Sequence, residues 1–589
     1  LVCKPAIGNA FGKNRSRKTD IFICKKGVDN MRLTTLTIIL TILSFLALPA
    51  AAQIHDPLAL AADPSTADSP IAPKLEGLGD YHFAVTTRSP ESQRFFDQGL
   101  RLTYGFNHSE ALRAFKEAAR LDPQNAMAYW GWALVLGPNL NLPMLPYVVP
   151  QAYEAIQRAV ALKDKVSDRE RAYIEALAAR YTNDPEADRA PFDRAYARAM
   201  QKLVKRYPDD LDAATLYAAS LMNLRPWDYW NLDGSPKGRT AEILETLQSV
   251  VDRNPRHAGA LHYHIHAVEA RHPERGEKQA DMLSGLMPGA GHMVHMPSHI
   301  YMRVGRFTDS YEANRRAVKA DEGYITQCRS QGLYPLNYYP HNIHFMAWSA
   351  MLQGRPQEAL AAARKIVEKV PPVLSADKNT WALYETFLSQ PMFVMVRFGM
   401  WNEMLAEPKP DVESRFMTGI WHYGRALAYL DQDQPAEARR ELRSLRAARK
   451  AMGEVEHYIG FATAEKLMTI AEETVRGELA YREGSLTEGL AHLERAVRLE
   501  DTLRYNEPPD WYFPVRHFLG AMLLDAGRPD EAEVVYAADL RKNPENGYSL
   551  FGLQSALERQ GRSEDAQAVA MRFDRAWADA NHTLTSSRF

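Results

Sequence analysis

SQRFFDQGLRLTYGFNHSEALRAFKEAARLDP, running from Ser92 to Pro123, is the stretch from which the architecture follows. It reads as two helices lying side by side. Gly99 on the first and Ala111 on the second are small enough to let the helices approach closely. Phe95 and Phe115 supply the bulk that fills the layer between neighbouring units. Pro123 cannot continue a helix and ends the second one.

The pattern recurs along the chain. Gly354, Ala359 and Pro371 hold equivalent places in one unit, Gly477, Gly484 and Ala496 in another, and Gly520, Gly527, Ala532 and Pro544 in a third. Gly561 with Ala566 marks a last one. Weaker copies fall at 191–208 with 211–224, 240–255 with 258–287, 291–322, 385–405 and 419–449. In these residues and their spacing the chain resembles the tetratricopeptide repeat superfamily. The resemblance covers residues 91–580, and it implies an all-α, helix-turn-helix solenoid with a right-handed superhelix. At a period near 34 residues it holds roughly nine to eleven helix pairs. At a finer level, the stretches His295–Tyr301 (HMPSHIY), Tyr339–His344 (YPHNIH) and Glu507–Tyr512 (EPPDWY) are similar to a group of large exported bacterial members. That likeness implies relatives and no mechanism.

Four segments break the period: Gly137–Val149, Asn223–Gly238, Gly323–Tyr339 and Tyr505–Phe513. They carry Asn139, Asn141, Trp227, Trp230, Tyr338, Tyr339, Trp511 and Tyr512. Insertions in repeat arrays tend to project on one face, often the binding face. For any single residue, loop packing is the simpler expectation.

The repeat pattern does not account for the histidines. The chain has 18, and ten of them fall between His257 and His344. When each unit is numbered from the first residue of its first helix, slots 4, 7, 8 and 11 pack, and slots 2, 5, 9 and 12 centre on roughly the opposite face. That face lines the concave groove of a stacked solenoid. In the unit starting at Ala258, His262, His266 and Glu269 take slots 5, 9 and 12. In the unit starting at Gly291, His292, His295, His299 and Met302 take slots 2, 5, 9 and 12. In the unit starting at Pro340, His341, His344 and Trp348 take slots 2, 5 and 9. His517 holds slot 5 of a distant unit. His264, at slot 7, points into the packing, and His257 and His272 fall in connections.

The pairs His262/His266 and His295/His299 are four residues apart, and His292/His295 and His341/His344 three. Each spacing puts two imidazoles on one helix face, one turn apart, where a single ion can bridge them. Glu269 is a further ligand, a carboxylate fixing an imidazole tautomer, or, if the site is catalytic, the candidate base. The expected metal ligands are therefore His262, His266, Glu269, His292, His295, His299, His341 and His344, with Zn or Cu as the ion. Met293, Met296 and Met302 give a slight lean toward copper, although the first two are off the groove slots. Trp130, Tyr217, Trp227, Met302, Trp348 and His517 are the expected lining of a ligand groove.

A net charge of −2 and the scatter of basic residues exclude a nucleic-acid-tracking surface. There is no P-loop, no Gly-rich dinucleotide turn and no Cys-x-x-Cys-His haem attachment site. There is also no His-Glu-x-x-His and no recognisable nucleophile setting. Met31-Arg32, the apolar run to Leu48 and Pro49-Ala50-Ala51-Ala52 have the layout of a signal peptide, 31–52, with 1–30 an upstream leader. Export to a bacterial periplasm or cell surface follows as an expectation, with no integral membrane span after cleavage. Of three cysteines only Cys328 lies beyond that segment, so a disulfide framework is excluded. Residues 53–90, rich in Ala, Pro, Asp and Ser, read as a linker, and 581–589 as a C-terminal tail.

Three readings remain open. The first is a metal-binding groove, with catalysis undecided and metal-dependent if present. The second is an interaction scaffold gripping a protein or peptide, its histidines serving as hydrogen-bonding groups or a pH switch. The third is a self-assembling, filament-forming solenoid. The charged last helix argues mildly against stacking at that end.

Overall fold

The computed structural model describes residues 63–328, 337–369, 385–410, 414–453 and 457–589. The expected leader (1–30), the expected signal peptide (31–52), the start of the expected linker (53–62), Pro371 and part of the insertion at 323–339 lie outside them. Among the described residues the chain is a succession of paired helices, from Pro90–Tyr104 with His108–Leu121 to Gly547–Arg559 with Ser563–Ala576. A two-residue hairpin, Tyr458–Ile459 with Ala462–Thr463, is the one sheet described. No helix among the described residues is long and apolar enough to cross a membrane.

Local sequence sets the helix ends. Ser89, Asn107 and Asn125 each cap a helix, their side chains accepting from the backbone N–H of Ser92, Glu110 and Ala128. Such caps contribute on the order of 1 kcal/mol each. Packing then follows the small-against-large rule read from the first unit. The Phe115 ring is wedged between two glycines of successive units: a Cβ on Gly99 would lie 2.7 Å from it and one on Gly131 2.3 Å. The device returns near the C-terminus, where the Tyr536 ring fills the space that a Cβ on Gly520 or Gly552 would need, at 2.4 and 2.1 Å.

Between the first and fourth pairs lie helices whose spacing carried no repeat signature, Ala126–Leu136, Val149–Leu162 and Asp168–Ala178. Every residue of Ala126–Leu136 is buried. A helix covered on all sides has no polar face, and therefore no periodicity to read.

The segment expected as a linker is instead a packed strap over its described part, 63–89. Ile71, Leu78 and Phe83 are buried. The Ile71 and Leu75 N–H groups donate to Glu117 and Gln98 at 2.8 and 2.9 Å. The Tyr81 hydroxyl donates to Asp212 at 2.7 Å, and the Gly77 carbonyl accepts from Gly289 N–H at 2.8 Å. The few apolar residues that anchor the strap are spaced too widely to outweigh its polar composition when read locally. The C-terminal tail is also held. The Ser587 carbonyl accepts from Arg397 at 2.9 Å, its hydroxyl donates to the His517 carbonyl at 2.7 Å, and Phe589 packs edge-on to Phe518 and Trp401.

The array turns back on itself. The helix Pro90–Tyr104 packs against Ala258–Val268, and a Cβ on Gly259 would lie 2.4 Å from the Tyr104 ring. Further on, the Tyr548 hydroxyl donates to the Met351 carbonyl at 3.2 Å, and Gly354 lies against Trp577. Two large apolar cores result, one drawn from residues between Ala72 and Tyr338, the other between Met302 and Val569. The helices that carry the histidines sit where the two cores meet.

Candidate metal centre

The face expected to line an open groove is enclosed. His262, His266, His292, His295, His299 and Glu269 are at most 6 % exposed. Described residues of all four period-breaking insertions gather over them together. Trp227 stands edge-on to His266, with ring centroids 5.3 Å apart. Tyr338 packs on His292 at 4.8 Å, its hydroxyl accepting from Asn141 Nδ2 at 3.4 Å, and Glu507 reaches His299. Phe106 and Phe345 complete the walls, against His262 and His295 at 4.5 and 4.6 Å.

Inside, the histidines form two triads, His262/His266/His292 and His295/His299/His341. Within each, one ring nitrogen per residue lies within 4.8 Å of the other two. Their orientation is informative. His262 Nδ1–H donates to the Tyr104 carbonyl at 2.6 Å and His266 Nδ1–H to Glu269 Oε1 at 3.1 Å. His295 Nδ1–H donates to Asn314 Oδ1 at 2.6 Å and His299 Nδ1–H to Glu507 Oε2 at 2.7 Å. The Asn314 amide is itself fixed, because its Nδ2 donates to the Ser310 carbonyl at 2.7 Å. With Nδ1 held as a donor, a neutral imidazole keeps its lone pair on Nε2.

Those Nε2 atoms face one another: His262 and His292 are 3.2 Å apart, and His295 and His299 2.9 Å. His266 Nε2 is buried without a hydrogen-bond partner. Two imidazole ligands of a tetrahedral ion, each about 2.05 Å from it, sit roughly 3.3 Å apart.

Without an ion, a proton has to separate the facing lone pairs of His295 and His299. Burial opposes a charge on His299, but Glu269 and Glu507 beside its Nδ1 outweigh this and hold its pKa at about 10. His299 Nε2–H then donates to His295. Burial also works to raise Glu269, yet His299 and His266 hold its carboxyl well below the usual range. Glu507 is pushed up by burial, with Glu269 nearby adding to it. Burial keeps His262, His292, His295 and His341 far below the ordinary imidazole value, their histidine neighbours adding to the effect. His266 is lowered for the same reason, with Glu269 opposing.

Several expected site residues are placed elsewhere. Glu269, expected as a ligand, an orienting carboxylate or a base, is fully buried and turned toward Nδ1 of His266 and of His299 (3.1 Å each). His344, expected as a ligand, packs against Tyr512 and Phe387 outside both triads. The expected groove lining is mostly interior packing. Trp130 stands edge-on to Tyr173, Tyr217 donates to Glu242 at 2.6 Å, and Trp348 Nε1–H donates to the Tyr512 carbonyl at 3.0 Å. Met302 is buried in the second core, and Met293 and Met296 in the first. His517 belongs to a separate buried network, between Arg397 at 3.0 Å and Asp539 at 3.1 Å. Trp227 alone of the six is partly exposed over the site, at 38 %. A solenoid that closes on itself turns its inner slots into core.

Glu507, Asn314, Phe106 and the Tyr104 carbonyl escaped the sequence reading. Glu507 stood in one of the quoted family stretches and in an insertion, but nothing local tied it to His299. The other three carried no signal.

The tetratricopeptide repeat family model matches residues 344–365, 421–444 and 514–538. These three segments support a tetratricopeptide repeat assignment for the chain. Arrays of this superfamily generally bind proteins or peptides. The matched tetratricopeptide segments exclude both triads, so membership is silent on the histidines. Of solved structures, human IFIT1 as a dimer with PPP-AAAA is 13 % identical, covers 82 % of this chain and 89 % of its own, and has a TM-score of 0.28. Human IFIT1 as a dimer with m7Gppp-AAAA is 14 % identical, with 84 % and 92 % covered and a TM-score of 0.29. The P58(IPK) TPR domain is 12 % identical, with 80 % and 99 % covered and a TM-score of 0.22. Likeness at these TM-scores carries no argument about this chain. No curated protein matches the sequence.

Proposed function

We propose that this tetratricopeptide protein binds a divalent transition metal, Zn(II) or Cu(II), inside the histidine-lined chamber. One observation carries the reading: Nδ1 of four imidazoles is tied to oxygen acceptors while the Nε2 side is turned inward onto other imidazoles. Histidines that only pack or hydrogen-bond have no need of a common orientation. Histidines that ligate an ion do, because the acceptor on Nδ1 sets the tautomer and raises the basicity of Nε2. An all-imidazole donor set suits zinc and copper. The burial of the chamber behind four insertions supports a tightly held ion. Export of the chain, so that the metal is met outside the cytoplasm, is part of the proposal and rests on the apolar segment 31–52.

The test is elemental analysis of the chain purified without a histidine tag or chelator, followed by Zn(II) and Cu(II) titration. Bound metal that is lost in His295→Ala/His299→Ala, with far-UV circular dichroism unchanged, is the expected result. A metal-free chain that takes up neither ion would overturn the reading and return the histidines to a polar core.

A further inference from the structure

We propose that the chamber holds two ions, one in each triad, and that Glu269 ties them into a single centre. This rests on the reading of the chamber as a metal site.

The argument begins with the repeat register. The first triad consists of slots 5 and 9 of the unit starting at Ala258, His262 and His266, with slot 2 of the next unit, His292. The second consists of slots 5 and 9 of that next unit, His295 and His299, with slot 2 of the unit after it, His341. Successive units of a solenoid are related by a similar small displacement. A ligand set that fits across one interface therefore fits across the next when the same slots carry the same residue. The geometry agrees. Ring centroids in the first triad are 4.7, 4.9 and 6.1 Å apart, and the corresponding distances in the second are 4.7, 5.0 and 5.8 Å. The series stops where the register stops supplying ligands: slots 5 and 9 of the third unit are His344 and Trp348, and an indole N–H cannot ligate. His344 packs instead against Phe387 and Tyr512.

No histidine serves both triads, so the ions do not compete for a ligand. The triads nevertheless adjoin, with His266 to His299 and His292 to His295 each 6.0 Å between ring centroids. Glu269 spans them. Its Oε1 lies 3.1 Å from His266 Nδ1 in the first triad, and its Oε2 lies 3.1 Å from His299 Nδ1 in the second. One carboxylate thus hydrogen-bonds a ligand of the first ion and makes an ion-pair contact with a ligand of the second. With Glu507 on the same Nδ1 of His299, two carboxylates sit where two adjacent dications need compensation.

The full chain, stripped of metal and titrated with Zn(II), is expected to take up two ions. His262→Ala/His292→Ala and His295→Ala/His341→Ala should each retain one. Asn314→Ala should weaken only one binding step, by about 10- to 100-fold, whereas Glu269→Gln should weaken both, because loss of an orienting partner has that scale of effect on affinity. Loaded with Cu(II), the chain should give an electron paramagnetic resonance spectrum broadened by coupling between neighbouring ions, and either double variant the uncoupled spectrum of one. Where an alanine variant loses helicity by circular dichroism, the glutamine version replaces it. One ion per wild-type chain would overturn the two-ion proposal and leave the metal reading standing. No ion at all would overturn both. Weakening of a single step in Glu269→Gln would overturn its joining role.

Discussion

His299 and Glu507 stand 208 positions apart in the chain and meet at 2.7 Å, Nδ1 against Oε2, both buried in the histidine-lined chamber. The carboxylate arrives on an insertion between two helix pairs of the second core, and the imidazole belongs to a helix at the edge of the first. The contact therefore reports two things at once: that the array has closed on itself, and that the closure fixes an imidazole tautomer.

Replacing Glu507 tests that link. Glu507→Ala removes the acceptor that Nδ1 of His299 uses at the shortest distance. The affinity for added Zn(II), measured by competition with a chelating dye, is expected to fall about 10- to 100-fold. Far-UV circular dichroism at 25 °C should not change. Undiminished affinity would mean that Glu269 alone orients His299.

The Phe115 wedge predicts a sign. Gly→Ala in a helix interior is ordinarily favourable by about 1 kcal/mol. At Gly131 the new Cβ would lie 2.3 Å from the Phe115 ring, and overpacking of that kind costs about 1–3 kcal/mol. Gly131→Ala is therefore expected to destabilise, as read by urea unfolding. Gly131→Ala with Phe115→Leu should cost less than the sum of the two single changes, because the residues share one space.

His344 sets a pH dependence. Burial lowers its pKa from 6.5 to about 3. The unfolded chain takes up a proton there below pH 6.5 while the folded chain does not. Stability is thus fully present above pH 6.5 and is lost as pH falls toward 3. Between pH 7 and pH 5 this group should account for about 2 kcal/mol of lost stability. His344→Leu, measured against wild type in the metal-free chain, should reduce the acid loss by that amount. Parallel pH profiles would show that His344 is not held neutral by the fold.

Arg397 is fully buried, donating to His517 and to the Ser587 carbonyl and lying 3.4 Å over the Tyr548 ring. Arg397→Met removes the cation from this network and the clamp on the C-terminal residues. A loss of about 3–5 kcal/mol in unfolding free energy is expected, since taking one partner from a buried charged network strands the other. Protease sensitivity at 582–589 should rise with it.

How much of this could be read in advance differs by level. The helix pairs were legible at Gly99, Phe115, Gly520 and Ala532, because close packing of two helices is a local demand that leaves a periodic trace. The same register brought out the slot positions of His262, His266, His292, His295, His299 and His341, and these six do come together. Ala126–Leu136 was hidden because a helix buried on every side carries no period. Residues 63–89 read locally as a linker because many of their anchoring contacts are made with residues far along the chain.

The sequence by itself determined the repeat, its all-helical character and the histidine stripe, since each is a relation between residues within one or two turns or one unit. Only the tertiary structure decided that the stripe is a closed chamber rather than a groove. Curvature accumulates over many units, and whether the array stays open or closes depends on contacts such as Tyr104 with Asp212 and His299 with Glu507. Closure turned groove slots into core, made packing residues of Trp130, Tyr217 and Trp348, sent His344 and His517 elsewhere, and brought Glu269 between the two triads.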